Sequence, residues 1–208
     1  MNIDDLYRVV RERRTVKVLG TVDEPTVVPT EVAMIRDAQV REAVLAAGMA
    51  PFHYPRSKEI AEPWRAYHLW NEQTNALATY LSEELGDKTK IPQLCAACSA
   101  LVLITWLPEF PGAEEEKQRV IEEEHIAATS AMTQNLLLLL TGHGMGNYWS
   151  SGGVLRTPAF FDHLGISTGE RLMGAIFIEY PEMSDDGHVR KAGALREKRS
   201  TEWVRDLG

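Results

Sequence analysis

The order of apolar and polar positions divides the 208 residues into helical and extended stretches. Over 3–14, Ile3, Leu6, Tyr7 and Val10 recur at helical spacing, with acids at the start and bases at the end to suit the helix dipole. "TVKVLG" (15–20) predicts extended chain, and "TVDEPTVVP" (21–29) a loop with two prolines. A helix over about 31–47 is expected next, capped by Thr30 and stopped at Gly48. The segment 49–63, "MAPFHYPRSKEIAEP", holds three prolines and predicts irregular chain. "WRAYHLW" (64–70) alternates weakly, as a strand, and "NEQTNALATYLSEELG" (71–86) is helical and ends at Gly86. "SALVLITWL" (99–107) is the clearest buried strand, bounded by Pro108. After a polar connection, a long helix spans about 114–142, acidic in its first half. Its second half is small and apolar almost all round, as in a helix enclosed by protein. "NYWS" (147–150) predicts a short strand, and "PAFFDHLG" (158–165) a short helix stopped by Gly165. "RLMGAIFIEYP" (171–181) predicts a second strong strand. The basic tail, "RKAGALREKRSTEWV" (190–204), shows no clear period. With no repeat, low-complexity run or long linker, the pattern predicts a helix-rich α+β fold in one domain, 1–208.

Composition narrows the range of partners. Lys and Arg total 22 against 30 Asp and Glu, a formal charge of −8. That balance argues against general binding to nucleic acid or anionic membrane, both polyanions, although a local basic cluster can hold one phosphate. "MNIDDLYRVV" lacks the basic and apolar regions of a signal peptide. The longest apolar runs, "ALVLI" (100–104) and "LLLLL" (136–140), are too short to span a bilayer. Two cysteines, Cys95 and Cys98, suit a reducing compartment, so a cytoplasmic location is expected.

Several segments carry candidate chemistry. In "RERRTVK" (11–17), Arg13 and Arg14 could fork onto phosphate oxygens and Thr15 could donate its hydroxyl, with Lys17 further along the same side. A solvated basic helix end is the competing reading. "HGMGNYWSSGG" (143–153) holds four glycines, but it follows a helix rather than a strand, which argues against a dinucleotide fingerprint and for a helix stop and turn. Glu122 and His125 have a di-iron spacing without the second pair such a site needs, so a solvated acidic face is the expectation. "CAAC" (95–98) has no second pair for zinc and no redox context, which favours packing. "WSSGG" is not the hydrolase G-x-S-x-G, and His53 lies beside Phe52 and Tyr54 in the Pro-rich loop.

Taken in chain order, these landmarks resemble the FMN-dependent nitroreductase family, most closely its small single-domain members. The family's opening helix and Arg-Arg-Ser-x-Arg/Lys signature are matched by Arg13, Arg14, Thr15 and Lys17. "AAGMAP" (46–51) matches its Ala-Gly-x-x-Ala-Pro helix end, and Glu62, Pro63 and Trp64 its Gln-Pro-Trp strand. "GHGMGNYWSSGG" matches the glycine exit and Trp strand that follow the long helix. "LGI" (164–166), "AIFIEYP" (175–181) and the basic "REKR" (196–199) complete the order. Thr15 replaces the usual serine, Glu62 the usual glutamine, and the loop from His53 to Pro63 is longer than usual and lacks an asparagine.

The resemblance implies a three-layer α+β fold, a central and mostly antiparallel sheet flanked by helices, in an intertwined homodimer with FMN at the subunit interface. It implies that Arg13, Thr15 and Arg199 bind the FMN phosphate, with Arg14 in the same segment. Lys17 would lie near flavin N1 and O2, where a cation eases reduction. Trp149, Ser150 and Ser151 would run along the ring, and Pro51 and His53 would come from the partner subunit. The implied activity is ping-pong reduction of nitroaromatics, quinones or related small conjugated acceptors by NAD(P)H, through flavin N5. No catalytic side chain and no metal are implied. A same-fold reductase of a carbon–halogen bond or an enone is one alternative, and a flavin-binding protein without turnover is another.

Overall fold

The computed structural model describes residues 2–57, 59–108, 114–184 and 187–206. Its centre is β3 (Ala100–Trp106), which pairs antiparallel with β2 (Trp64–Trp70) on one side and β5 (Arg171–Glu179) on the other. β4 (Gly146–Ser150) pairs antiparallel with β5 and completes the order β2-β3-β5-β4. A central strand covered on both faces can be apolar throughout, which explains the unbroken "ALVLI" run. Ala100, Val102 and Ile104 pack to one side, and Leu101 and Leu103 to the other.

Each face of the sheet is closed by helices. On the first lie α2 (Thr30–Ala47) and α5 (Glu115–Gly142), which pack Val40, Val44, Met132, Leu136 and Leu140 over Val102, Ile176 and Ile178. On the second lie α3 (Asn71–Thr79), α4 (Ile91–Ala97) and α6 (Pro158–Leu164), which pack Leu77, Leu94 and Phe160 over Leu101, Leu103 and Phe177. This is the three-layer α+β arrangement implied by the resemblance. α5 runs 28 residues, about 42 Å at 1.5 Å per residue. Thr129, Thr133 and Thr141 donate to carbonyls four residues back, so their hydroxyls enter an apolar helix without losing partners. The chain encloses only part of α5: Leu138 and Leu139 are half-buried, and Ile126 is exposed.

Three local features differ from the expectation. Thr30 is the first residue of α2 and not its cap; Pro29 holds the cap position, and no side chain caps the helix there. The segment Ile91–Ala97, in which no helix was expected, forms α4 with proline at its start, and α3 continues into one wide turn, Tyr80–Glu84. The tail contains β6 (Val189–Ala192), which pairs antiparallel with β1 (Val16–Leu19). Part of the polar connection before α5 (109–113) lies outside the described residues.

The junction of β5 with α2 rests on Tyr180, fully buried, whose hydroxyl donates to Asp37 at 2.5 Å. Partial burial is the main reason the Asp37 carboxyl sits above its ordinary range, with the Tyr180 hydrogen bond acting in the opposite direction. Tyr180→Phe is therefore expected to leave a partly buried carboxylate short of a donor. It should cost about 1–2 kcal/mol in urea unfolding at neutral pH.

Candidate cofactor site

The site begins where α1 (Ile3–Glu12) ends. Asn2 and Asp5 cap the helix start reciprocally: the Asn2 side chain accepts from Asp4 N–H at 3.4 Å, and Asp5 accepts from Asn2 N–H at 3.2 Å. At Arg13 the backbone leaves the helix with φ −54° and ψ 118° and enters β1. Thr15 bridges Asn147 in parallel, which carries this end of β1 alongside β4. Across from Thr15 runs Gly193, where an added Cβ would lie 3.1 Å from the Thr15 Cβ; the bare backbone lets the two chains close up. A short 3-10 turn, Arg196–Lys198, follows and brings the tail over the helix end. There Arg196 Nη1 donates to the Arg13 carbonyl.

This folding gathers positive charge. The half-buried Arg13 guanidinium is held below the ordinary arginine value, first by burial and then by the charges of Arg196 and Arg199. Among the described residues, none of Arg13, Arg14, Lys17, Arg196 and Arg199 has an acidic group within ion-pair distance. Lys17 stands opposite Lys191 across the β1–β6 pair, and its ammonium lies 4.6 Å from the centre of the Tyr148 ring. Like charges held close together stabilise an anion and are relieved by one. Arg14 lines an open groove of about 510 Å³ with Arg11, Arg196, Glu12 and Glu197.

The end of β4 forms the other part of the site. Ser150 is buried, and its Oγ accepts from Gly152 N–H at 3.2 Å. Ser151 is exposed, and its carbonyl accepts from Arg156 at 2.9 Å. Gly152 and Gly153 follow with φ of 102° and 55°, values that favour glycine, and a Cβ on Gly152 would come 2.4 Å from Leu172 Cδ2. The glycine-rich segment is thus a helix exit, a strand and a sharp turn; Gly144, at φ 74°, ends α5.

Pro51 and His53 lie elsewhere in the chain. Phe52 packs edge-on against Trp64 with ring centres 5.6 Å apart, and the exposed Pro51 and His53 flank it. His53 faces Glu124 of α5 at 3.4 Å, and no hydrogen bond or ion pair joins this loop to the arginine cluster among the described residues. Glu62 is exposed, and its carbonyl accepts from Arg65. His125 is fully buried, with Nδ1 3.3 Å from the Leu107 carbonyl and Nε2 3.1 Å from that of Tyr54, so it belongs to the core and not to a solvated acidic face. Cys95 and Cys98 are buried; burial pushes the Cys98 thiol up to about 12 and that of Cys95 well above its ordinary value, which leaves them packing groups. No group of three or more potential metal ligands occurs among the described residues.

Sequence reasoning did not single out Arg196, although it tethers the cluster to Arg13. The available signal was a second arginine three residues before Arg199.

The sheet and its two helical layers define an α+β protein with a cationic edge that meets β4 near its start, at Asn147. No family model matches the chain. Over 164 residues it is 26% identical to YfhC of Bacillus subtilis (strain 168), provisionally named an NAD(P)H nitroreductase; the match covers 76% of this chain and 82% of that protein. A crystal structure of a nitroreductase-like family protein from Bacillus cereus is similar with a TM-score of 0.59 and 26% identity, over 94% of both chains. A nitroreductase with bound FMN from Bacteroides fragilis shares the fold at a TM-score of 0.55 and 15% identity, over 98% of both chains. In sequence and in fold the chain is thus similar to nitroreductase-like proteins.

Proposed function

We propose that the protein is an FMN-dependent NAD(P)H oxidoreductase that reduces nitroaromatics, quinones or related small conjugated acceptors. The observation that carries this reading is the cluster of Arg13, Arg196 and Arg199 near Thr15, which itself bridges Asn147 of β4. Those groups fit a phosphate: guanidinium forks and a hydroxyl are the donors a phosphate monoester takes. The B. fragilis structure holds FMN in the same fold.

Bound FMN supplies hydride acceptance and donation at N5. Arg13, Thr15 and Arg199 grip its phosphate, and Arg14 adds charge from the neighbouring groove. Lys17, steadied over Tyr148, places a cation where the reduced ring gains negative charge. Trp149, Ser150 and Ser151 would lie against the ring. NAD(P)H and acceptor use one site in turn, in ping-pong order.

A second copy would complete the site, and Pro51 and His53 of that copy would cover the flavin. Two unburied apolar faces support this. α1 leaves Ile3, Leu6, Tyr7 and Val10 each at least 39% exposed, and α5 leaves Leu138 and Leu139 half-covered. Among the described residues no helix is long and apolar enough to cross a membrane. A cytoplasmic enzyme is the reading in keeping with that.

The experiment is direct. Anaerobic NADH or NADPH should bleach the flavin absorbance of the purified protein, and a nitroaromatic should restore it; a yellow protein that never bleaches is a flavin binder without turnover. Lys17→Ala should keep FMN but lower its midpoint potential by about 30–60 mV, the equivalent of a charged hydrogen bond of roughly 1.5–3 kcal/mol spread over two electrons. Potentiometric titration measures it.

A further inference from the structure

A second basic recess lies past the far end of β4. After Ser151 the chain turns at Gly152, where a Cβ would fall 2.4 Å from Leu172 Cδ2 and 3.4 Å from Arg156 Cγ. Leu172 and Arg156 also line a recess of about 360 Å³, with Thr168, Glu170 and Arg171. The recess therefore abuts the turn that follows Ser151. Each of its guanidinium groups is pinned through one nitrogen. Arg156 Nη1 donates to the Ser151 carbonyl at 2.9 Å, and Arg171 Nη1 donates to the carbonyls of Thr168 and Glu170 at 3.0 and 3.1 Å. Among the described residues, the Nε and Nη2 of both arginines have no acceptor, and neither arginine has an acidic group within ion-pair distance. The acid that lines the recess, Glu170, is buried and already engaged: one oxygen accepts from the Tyr67 hydroxyl at 2.7 Å and the other from the Thr105 hydroxyl. Two positive groups against one negative leave the recess cationic. Its spare donors are two oriented guanidinium edges and the Thr168 hydroxyl, the set that a carboxylate or phosphate takes.

The geometry points to Arg156 and Arg171 as an anion subsite for a substrate: they hold the carboxylate or phosphate of a molecule that exchanges electrons with the flavin. The inference rests on the FMN reading above. FMN carries one anionic group, and that reading lodges it by Thr15, near the start of β4. The recess lies about 15 Å further along the strand, at roughly 3.3 Å per residue, so it serves a different molecule. Ser151 links the two places: it is the residue assigned to the ring, and its carbonyl is held by Arg156. Two sources can supply the anion, the phosphates of NAD(P)H or an acid group on the acceptor. In either case the subsite selects among substrates and leaves the cofactor's own grip untouched.

The test compares the FMN-loaded protein with its Arg171→Gln variant in steady-state turnover, using NADH, NADPH, 4-nitrobenzoate and the uncharged 4-nitrobenzyl alcohol. Arg171→Gln should keep FMN and its KM for the alcohol, yet raise KM for the anionic substrate about tenfold. A rise for NADPH, alone or with NADH, assigns the subsite to the donor; a rise for 4-nitrobenzoate assigns it to the acceptor. Arg171→Lys keeps the charge without the fork and should recover part of the loss. Inorganic phosphate should compete with the same substrate in the wild type and lose that effect in Arg171→Gln. If Arg171→Gln fails to fold, Arg156→Gln is expected to show the same pattern. Unchanged KM for both nucleotides and for 4-nitrobenzoate overturns the inference, as does an equal rise for the uncharged alcohol. Wild-type protein that takes up no FMN overturns instead the reading beneath it.

Discussion

Replacing Arg13 by alanine is expected to weaken FMN binding by on the order of 100-fold, with little change in fold stability. Arg13 sits where α1 gives way to β1, half-buried, with its carbonyl held by Arg196. Its own guanidinium has no acidic partner among the described residues, and the neighbouring arginines make its charge more costly in the empty site. The substitution removes that cost together with the phosphate contact, so the unliganded fold loses little. Arg13→Lys keeps the charge but loses the fork, and should fall between the two. Equilibrium dialysis against FMN measures the series, and urea unfolding of the apoprotein checks the fold. An Arg13→Ala protein with wild-type affinity would remove Arg13 from the phosphate site.

Glu179→Ala should produce the second large effect, through stability. Glu179 ends β5 almost fully buried, and its carboxylate accepts from Arg190 Nε at 2.7 Å and from Nη2 as well. Arg190 also donates to the carbonyls of His188 and Met183, so the pair ties β6 to the main sheet. Removing the carboxylate takes away the hydrogen bonds that Glu179 accepts from Arg190 beside the core. With Arg190 about a quarter exposed, the cost should be about 2–3 kcal/mol, below the ~3–5 kcal/mol of a fully enclosed pair. Because β6 leads to Gly193, Arg196 and Arg199, FMN affinity should fall with it, unlike in a simple core truncation. Glu179→Gln keeps an acceptor and should lose less on both counts. Urea denaturation and FMN titration together test this; lost stability with unchanged FMN affinity would separate β6 from the site.

The elements that could be read from sequence are those whose own residues settle them. β3 and β5 are apolar runs between breakers, and α5 carries Met132, Leu136 and Leu140 at four-residue intervals in its second half. β6 escaped because "VRKA" has no apolar alternation: it is a strand through pairing with β1, some 170 residues earlier in the chain. α4 escaped because a seven-residue helix buried on nearly every side shows no amphipathic period. Thr30 looked like a cap by residue type, but the chain enters α2 one residue sooner, at Pro29, whose ring fixes the turn.

The site was legible in part. "RRTVK" and "REKR" stand out as basic clusters, yet their meeting depends on Gly193 letting Thr15 approach and on Arg196 reaching back to Arg13. Neither contact has a local pattern. Gly174 shows the same limit: in sequence it is one small residue inside a strong strand, but a Cβ there would fall 2.0 Å from Trp149 Nε1.

A phosphate grip at the edge of the sheet is tested most directly by comparing FMN with riboflavin as ligands of the apoprotein. The two share the ring and differ in the phosphate. FMN should bind one per chain, with riboflavin weaker by on the order of 100-fold or more. Equal affinities, or no binding of either, would contradict it.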